Sequence, residues 1–424
     1  MDMSQGRMLS VASNQWATRP DDERFLSLSD MYRARHTAET NCRESVINSG
    51  QLRADWLGEE LILQPSPDTS LPVTFKATNW AMSQFSSWHS IPFGTIKLWQ
   101  EDSEEVATKQ LIADAINHSL KYRGRELAFY HDKLDNGYPQ TLRAVTSESY
   151  ERINDYELID KVIQFVDRSQ RQGVTWKVPG TIDWSTGQHI ADIEVTKRNT
   201  TLYAGDRDSF IFLVDDMNPI NMGKTQRGED DLLFRGFILG NSVVGYRRIW
   251  GMGFLFRGVC QNRCIWGAQD IVSFKMKHLK NVRQRLFESN PDSDSPFEQR
   301  RFVEGLMYLS DQQQNTMLQA ENMIKSANQR EEFTDRDSRK KALVKLFPAR
   351  TADNILDHHY KLFGEVDSAG NLVVDSKGNV NTDSEILTRW HLHNTATEYA
   401  KTIPNQDARF DLELQAAKIL PLAA

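Results

Sequence analysis

The run Phe210-Ile211-Phe212-Leu213-Val214 constrains the fold of this chain more than any other segment. Five consecutive apolar residues, rich in aromatic and β-branched side chains, suit a strand covered on both faces. The pattern from 172 to 275 is strand-like around it. Val174, Trp176 and Val178 alternate with their neighbours, as do Ala191, Ile193 and Val195 against Asp192, Glu194 and Thr196. Gly236, Gly240, Gly245, Gly251, Gly253 and Gly258 punctuate the second half of this region, where turns, bulges or close backbone approach favour a residue without Cβ. Their spacing matches neither a P-loop nor a dinucleotide fingerprint.

Helical periodicity lies on either side. Phe25, Leu28 and Met31 follow a helical period after RPDDER, whose acids suit a helix start. Two short helical patterns flank His89-Ser90-Ile91-Pro92; this has the outline of a helix–turn–helix, with packing as its default role. A helix near Glu104–Tyr122 leads to the strand-like LAFYHD, a turn at Asn136-Gly137 and the alternating TLRAVTS. Asn154-x-x-Glu157 is a capping-box signature, followed by the apolar stripe Leu158, Ile159, Val162, Ile163 and Val166. Beyond a linker at Asn290–Pro296, helical patterns resume. Pro348 separates two of them, a small hairpin is expected around Lys377-Gly378, and a last helix over Ser384–Lys401.

These patterns predict an α+β fold: a central mixed, mainly antiparallel sheet with a helical N-terminal leader and a helical C-terminal unit. The expected divisions are a mostly helical leader over 1–120, a strand-rich core over 121–289 and a helical unit over 290–424. At 424 residues the chain is long enough for two or three such units.

Composition narrows the class. A hydrophobic fraction of 39% with 26% charged residues fits a globular chain, and no apolar run approaches the roughly 20 residues of a membrane span. MDMSQGRMLSVASNQW lacks the basic start and apolar stretch of a signal peptide, so a cytoplasmic location is expected. Three cysteines do not make a disulfide framework, and Cys260 with Cys264 lacks the second pair that a zinc site needs. His358, His359, His391 and His393 read as surface residues of polar helices. No metal site and no cofactor is expected, and no catalytic residue is nominated.

Charge is distributed unevenly. The chain carries a net −7, yet between Asn241 and Phe287 stand nine basic residues and one acid, Asp270. The first part interleaves Arg247, Arg248, Arg257 and Arg263 with the rings of Tyr246, Trp250, Phe254, Phe256 and Trp266. Lys275, Lys277, Lys280, Arg283 and Arg285 continue the run. Cations beside exposed flat rings are what a single-strand binder needs, one for phosphates and the other for bases. The nominated nucleic-acid residues are therefore Tyr246, Arg247, Arg248, Trp250, Arg257, Arg263, Trp266, Lys275 and Lys277. The plainer reading is that the rings pack the sheet while the cations line its wet face. A competing constellation is acidic: Asp183, Asp192, Glu194, Asp206, Asp208, Asp215 and Asp216 offer carboxylates that, if they converged, would hold Mg²⁺ for phosphoryl transfer. A nucleophile at Cys260 or Ser242 has no histidine partner by motif.

Several segments resemble, in order, the phage- and plasmid-like proteins of the domain-of-unknown-function 932 family. They are LRAVTSESYERINDYELI, LYAGDRDSFIFLVDDMNPI and LFRGFILGNSVVGYRRIWGMGFLFRGVCQNRCIWGA, with WAMSQFSSWHSIPF similar to the family's leader. The resemblance covers about half the chain and implies a setting on mobile elements, without any catalytic residues to carry over. The expectation that follows is a DNA-associated accessory protein with single-stranded or opened DNA as partner, in annealing or protection, with possible self-association and no membrane contact. The alternatives are a host-directed protein-interaction module that neutralises a defence system without touching DNA, and a metal-dependent phosphoryl-transfer enzyme.

Overall fold

The computed structural model describes residues 20–69, 73–101, 106–133, 139–178, 195–197, 200–215, 217–224, 230–257, 265–266, 273–365, 367–368, 373–374, 386–400, 402–403 and 406–420. The chain enters through strand β1 (Arg24–Phe25) and helix α1 (Leu28–Thr40). Ser27 caps this helix by accepting from the Asp30 amide, so Phe25 lies before the helix and ends strand β1. Four strands follow: β2 (Cys42–Asn48), β3 (Leu52–Leu57), β4 (Glu60–Pro65) and β5 (Phe75–Ala77). Helices α2 (Asn79–Trp88), α3 (Phe93–Glu101) and α4 (Val106–Arg123) come next, then β6 (Glu126–Asp132) and β7 (Gln140–Thr146).

These six strands form the first sheet, in the order β2-β6-β7-β5-β4-β3, antiparallel except for the parallel pair β5–β7. Its core is closed by α2 and α4, with Phe75, Phe85, Ile112, Ile116, Phe129 and Leu142 fully buried. The stretch expected to be a mostly helical leader therefore supplies strands as well as helices. Strand β2, CRESVIN, buries only Cys42 and Ile47, a pattern too polar to betray a strand before its partner β6 is known.

Among the described residues the second sheet has nine strands. Helix α5 (Asp155–Gln170) precedes β8 (Trp176–Lys177), β9 (Leu202–Ala204), β10 (Ser209–Asp215), β11 (Ile220–Lys224), β12 (Asp230–Asn241), β13 (Ile249–Arg257), β14 (Ile265–Trp266) and β15 (Ser273–Met276). The main order is β1-β9-β10-β12-β13-β14, with β8 on β10, β11 on β12 and β15 on β13, all antiparallel. All seven residues of β10 are buried, as the apolar run requires. The capping box of Asn154 and Glu157 starts α5, whose Leu158, Ile159, Val162 and Phe165 pack beneath this sheet. The α+β class holds, with two sheets among the described residues in place of one. The alternation at Ala191–Glu194 and the turn at Asn136-Gly137 lie outside the described residues.

Helices α6 (Val282–Phe287) and α7 (Phe302–Gln329) complete the second core, where Phe274 stacks on Phe297 at 3.9 Å between ring centres. A third core begins at Phe333 and joins α8 (Arg336–Leu343), α9 (Ala349–Phe363), α10 (Arg389–Ala400) and α11 (Gln406–Ala417). Pro348 is the N-cap of α9, consistent with its missing amide hydrogen. His359 and His393 are buried in this unit instead of lying on its surface. The hairpin centre at Lys377-Gly378 lies outside the described residues.

Candidate nucleic-acid interface

Residues 242–248 join β12 to β13 and pack where the two sheets meet. Gly245 takes the left-handed conformation (φ 77°) that a side chain would strain. Ser242 fixes the turn from inside, its Oγ accepting from the Tyr246 amide (2.8 Å) and donating to the Arg207 carbonyl (2.6 Å). The first sheet and its helices hold the turn from outside. Trp80 Nε1 and Gln84 Nε2 both donate to the Val244 carbonyl, at 3.0 and 2.8 Å. Tyr150 Oη donates to the Ser242 carbonyl at 2.9 Å, and Arg152 donates to that of Val243 while pairing with Glu44 at 2.7 Å. With Ser242 spent on this scaffold, its hydroxyl is not placed as a nucleophile.

Strand β15 runs beside the start of β13, with Trp250 opposite Lys275 and Gly251 opposite Phe274. Met276 and His278 point inward while Lys275 and Lys277 stay exposed, the period-two alternation of an extended chain. A bridge between Tyr150 and Leu279 brings the distant 150 segment alongside. The result is a cavity of about 610 Å³ lined by Tyr150, Tyr246, Arg247, Arg248, Trp250, Met252, Lys275, Lys277, His278, Leu279 and Asp411, among others.

The nominated cations meet different fates. Arg247 is buried in an ion pair with Asp208, at 2.6 Å and with side chains 4% and 1% exposed, so it is a structural charge rather than a phosphate ligand. Its guanidinium lies 5.4 Å from the centre of the Tyr246 ring. Lys275 pairs with Asp411 of α11 at 3.1 Å, both side chains half exposed or more. Arg248, Lys277 and Lys280 are exposed and make no ion pair among the described residues. Farther along, Arg283 is held by Glu157 and Arg285 by Glu298. Arg257 ends β13 and Trp266 lies in β14; Arg263 lies outside the described residues.

The rings also divide. Tyr246 is 37% exposed and is braced edge-on by Trp80, at 5.1 Å and 85°. Trp250 is 7% exposed and is no stacking platform. Its indole lies across Gly240, where an added Cβ would come within 2.4 Å of Nε1. A glycine in β12 therefore opens the space into which the tryptophan is buried.

Sequence patterning did not single out Tyr150, His278 or Asp411. Tyr150 stacks on the His278 ring at 4.8 Å and 19°. His278 Nδ1 lies 3.2 Å from the Glu151 carbonyl, an acceptor only, so the neutral ring carries its proton there. Burial, reinforced by the Arg152 charge, pushes the imidazole down to about 4 and keeps it neutral at pH 7. Burial likewise raises the Tyr150 hydroxyl, so it remains a donor. The alternation in SFKMKH places His278 inward, but no local signal marks Tyr150 or Asp411.

The acidic constellation is not assembled by the residues described. Asp206 faces Arg143 at 3.2 Å, Asp208 faces Arg247, and Asp215 is bound by Arg235 at 2.7 Å with both side chains buried. Three carboxylates tied to three different arginines do not form a Mg²⁺ site, and no group of metal-ligating side chains occurs among the described residues. Asp183, Asp192, Glu194, Asp216 and Cys260 lie outside those residues. No helix among them is long and apolar enough to cross a membrane.

Comparison with protein-family models, curated proteins and solved structures finds no match of any of the three kinds. The resemblance to the domain-of-unknown-function 932 family rests on the quoted segments alone.

Proposed function

We propose that the protein binds single-stranded nucleic acid at the cavity between the 242–248 turn and β15. One observation carries this reading. Tyr246, Arg248, Lys275 and Lys277, separated by up to thirty residues, surround one concavity. Two of its cations are unpaired among the described residues, and its exposed ring is held rigidly. Phosphates need the first feature and bases the second. In the setting that the family resemblance implies, the activity is that of an accessory protein of a phage or plasmid, shielding or annealing opened DNA.

A second reading, a protein-interaction module that does not touch DNA, is favoured by the neutralisation of Arg247, Lys275, Arg283 and Arg285 by acids from elsewhere in a chain of net charge −7. Fluorescence anisotropy with a labelled oligo-dT and with a duplex of equal length separates the two. Binding of the single strand that weakens as salt rises is the expected result. No binding of either probe at about 20 mM salt, where electrostatic contacts are strongest, removes the nucleic-acid reading.

A further inference from the structure

The cavity is graded from inside to outside. Its buried lining is Trp250, Met252 and His278 with Arg247, whose charge is offset by its ion pair with Asp208, whereas Arg248, Lys275 and Lys277 are exposed. A partly aromatic interior without net charge, inside a cationic rim, suits a ligand with a flat, uncharged body and an anionic tail. A nucleotide is such a ligand. His278 fits the interior role because its Nδ1–H donates to the Glu151 backbone carbonyl, and its buried Nε2 has no hydrogen-bond partner.

Size and rim charge narrow the ligand further. A volume of about 610 Å³ is within the range of about 300–1,000 Å³ that encloses one small ligand. A groove that tracks a running strand accommodates about 4–16 nucleotides. The rim is not uniformly positive either, since the Asp411 carboxylate, 60% exposed, stands 3.1 Å from Lys275. With Lys275 held in that pair, Arg248 and Lys277 are the unpaired cations of the lining among the described residues, enough for one or two phosphates and not for a running strand.

We propose that the cavity receives the terminal nucleotide of a single strand, its base stacked on Tyr246 and facing the wall of Trp250, Met252 and His278, and its phosphate at Arg248 and Lys277. This inference rests on the nucleic-acid reading above and adds to it the recognition of an end.

The test compares a linear oligo-dT with a covalently closed circle of the same length, by anisotropy and by competition. The linear strand is expected to bind about ten-fold more tightly, the scale of one base–aromatic stack. A terminal abasic residue should lower its affinity by a similar factor. Tyr246→Ala should erase the difference between line and circle, and Lys280→Gln, whose lysine does not line the cavity, should preserve it. Thermal melts of both variants check that the fold persists. Equal affinity for line and circle overturns end recognition while leaving strand binding intact. Failure of both probes to bind overturns the nucleic-acid reading itself, and the end proposal with it.

Discussion

Arg247 and Arg248 are adjacent in sequence, and opposite consequences are expected on replacing them. Arg248 is exposed, with no ion pair among the described residues, so a phosphate bound there displaces a counterion. Each such contact contributes about 0.7 to the slope of log affinity against log salt on a single strand. Replacing Arg248 and Lys277 together by Gln should therefore lower the slope by about 1.4. Between about 50 and 200 mM salt, the double variant should lose roughly seven-fold less affinity than the wild type. Its melting temperature should be unchanged, since neither side chain is buried. Arg247→Ala acts on the fold instead. It leaves Asp208 buried at 1% exposure without the guanidinium 2.6 Å away, a change that costs about 3–5 kcal/mol. The urea midpoint should fall, while any protein still folded keeps the wild-type salt slope. Anisotropy at four or five salt concentrations, alongside urea unfolding, measures both quantities. A flattened slope with unaltered stability in Arg247→Ala would refute the assignment of Arg247 to the interior. An unchanged slope in the double variant would remove the cavity as the phosphate site.

Three further outcomes follow from the same geometry. Asp411→Asn releases Lys275 from its rim ion pair, so oligonucleotide affinity at low salt should rise and the salt slope should steepen by up to about 0.7; a loss of affinity would contradict the competition argued here. Arg235→Met strands the buried Asp215 and should cost about 3–5 kcal/mol, whereas Arg235→Met combined with Asp215→Leu should recover most of it; urea unfolding of the two variants would show otherwise if the double variant were the less stable. Glu39 shares Arg35 with Asp155 in the core, and burial, aided by the Asp155 charge, pushes its carboxyl up to about 8. Its folded form then holds a proton that the unfolded chain releases near the ordinary 4.5, so stability from this group is full below about pH 4.5 and declines as pH rises to about 8, by up to roughly 1.4 kcal/mol per pH unit. Glu39→Gln should flatten that decline, and an identical pH profile in wild type and variant would sink the assignment.

What was legible in the sequence was local. The five-residue apolar run of β10, the capping box at Asn154, the stripe of α5 and the break at Pro348 follow from side-chain periodicity and backbone chemistry within a few residues. The same local reading found the basic, ring-bearing segment from which most of the cavity is built. Tertiary structure decided everything that depends on a distant partner. CRESVIN is a strand only because β6 lies beside it, and Trp250 is buried only because Gly240 faces it across the sheet. Four of the nine basic residues counted between Asn241 and Phe287 are paired with Asp208, Asp411, Glu157 and Glu298, all outside that interval. A charge in sequence reports what a residue carries; whether it meets a ligand or a carboxylate depends on Coulomb interactions over a few ångströms, and only the fold sets those distances.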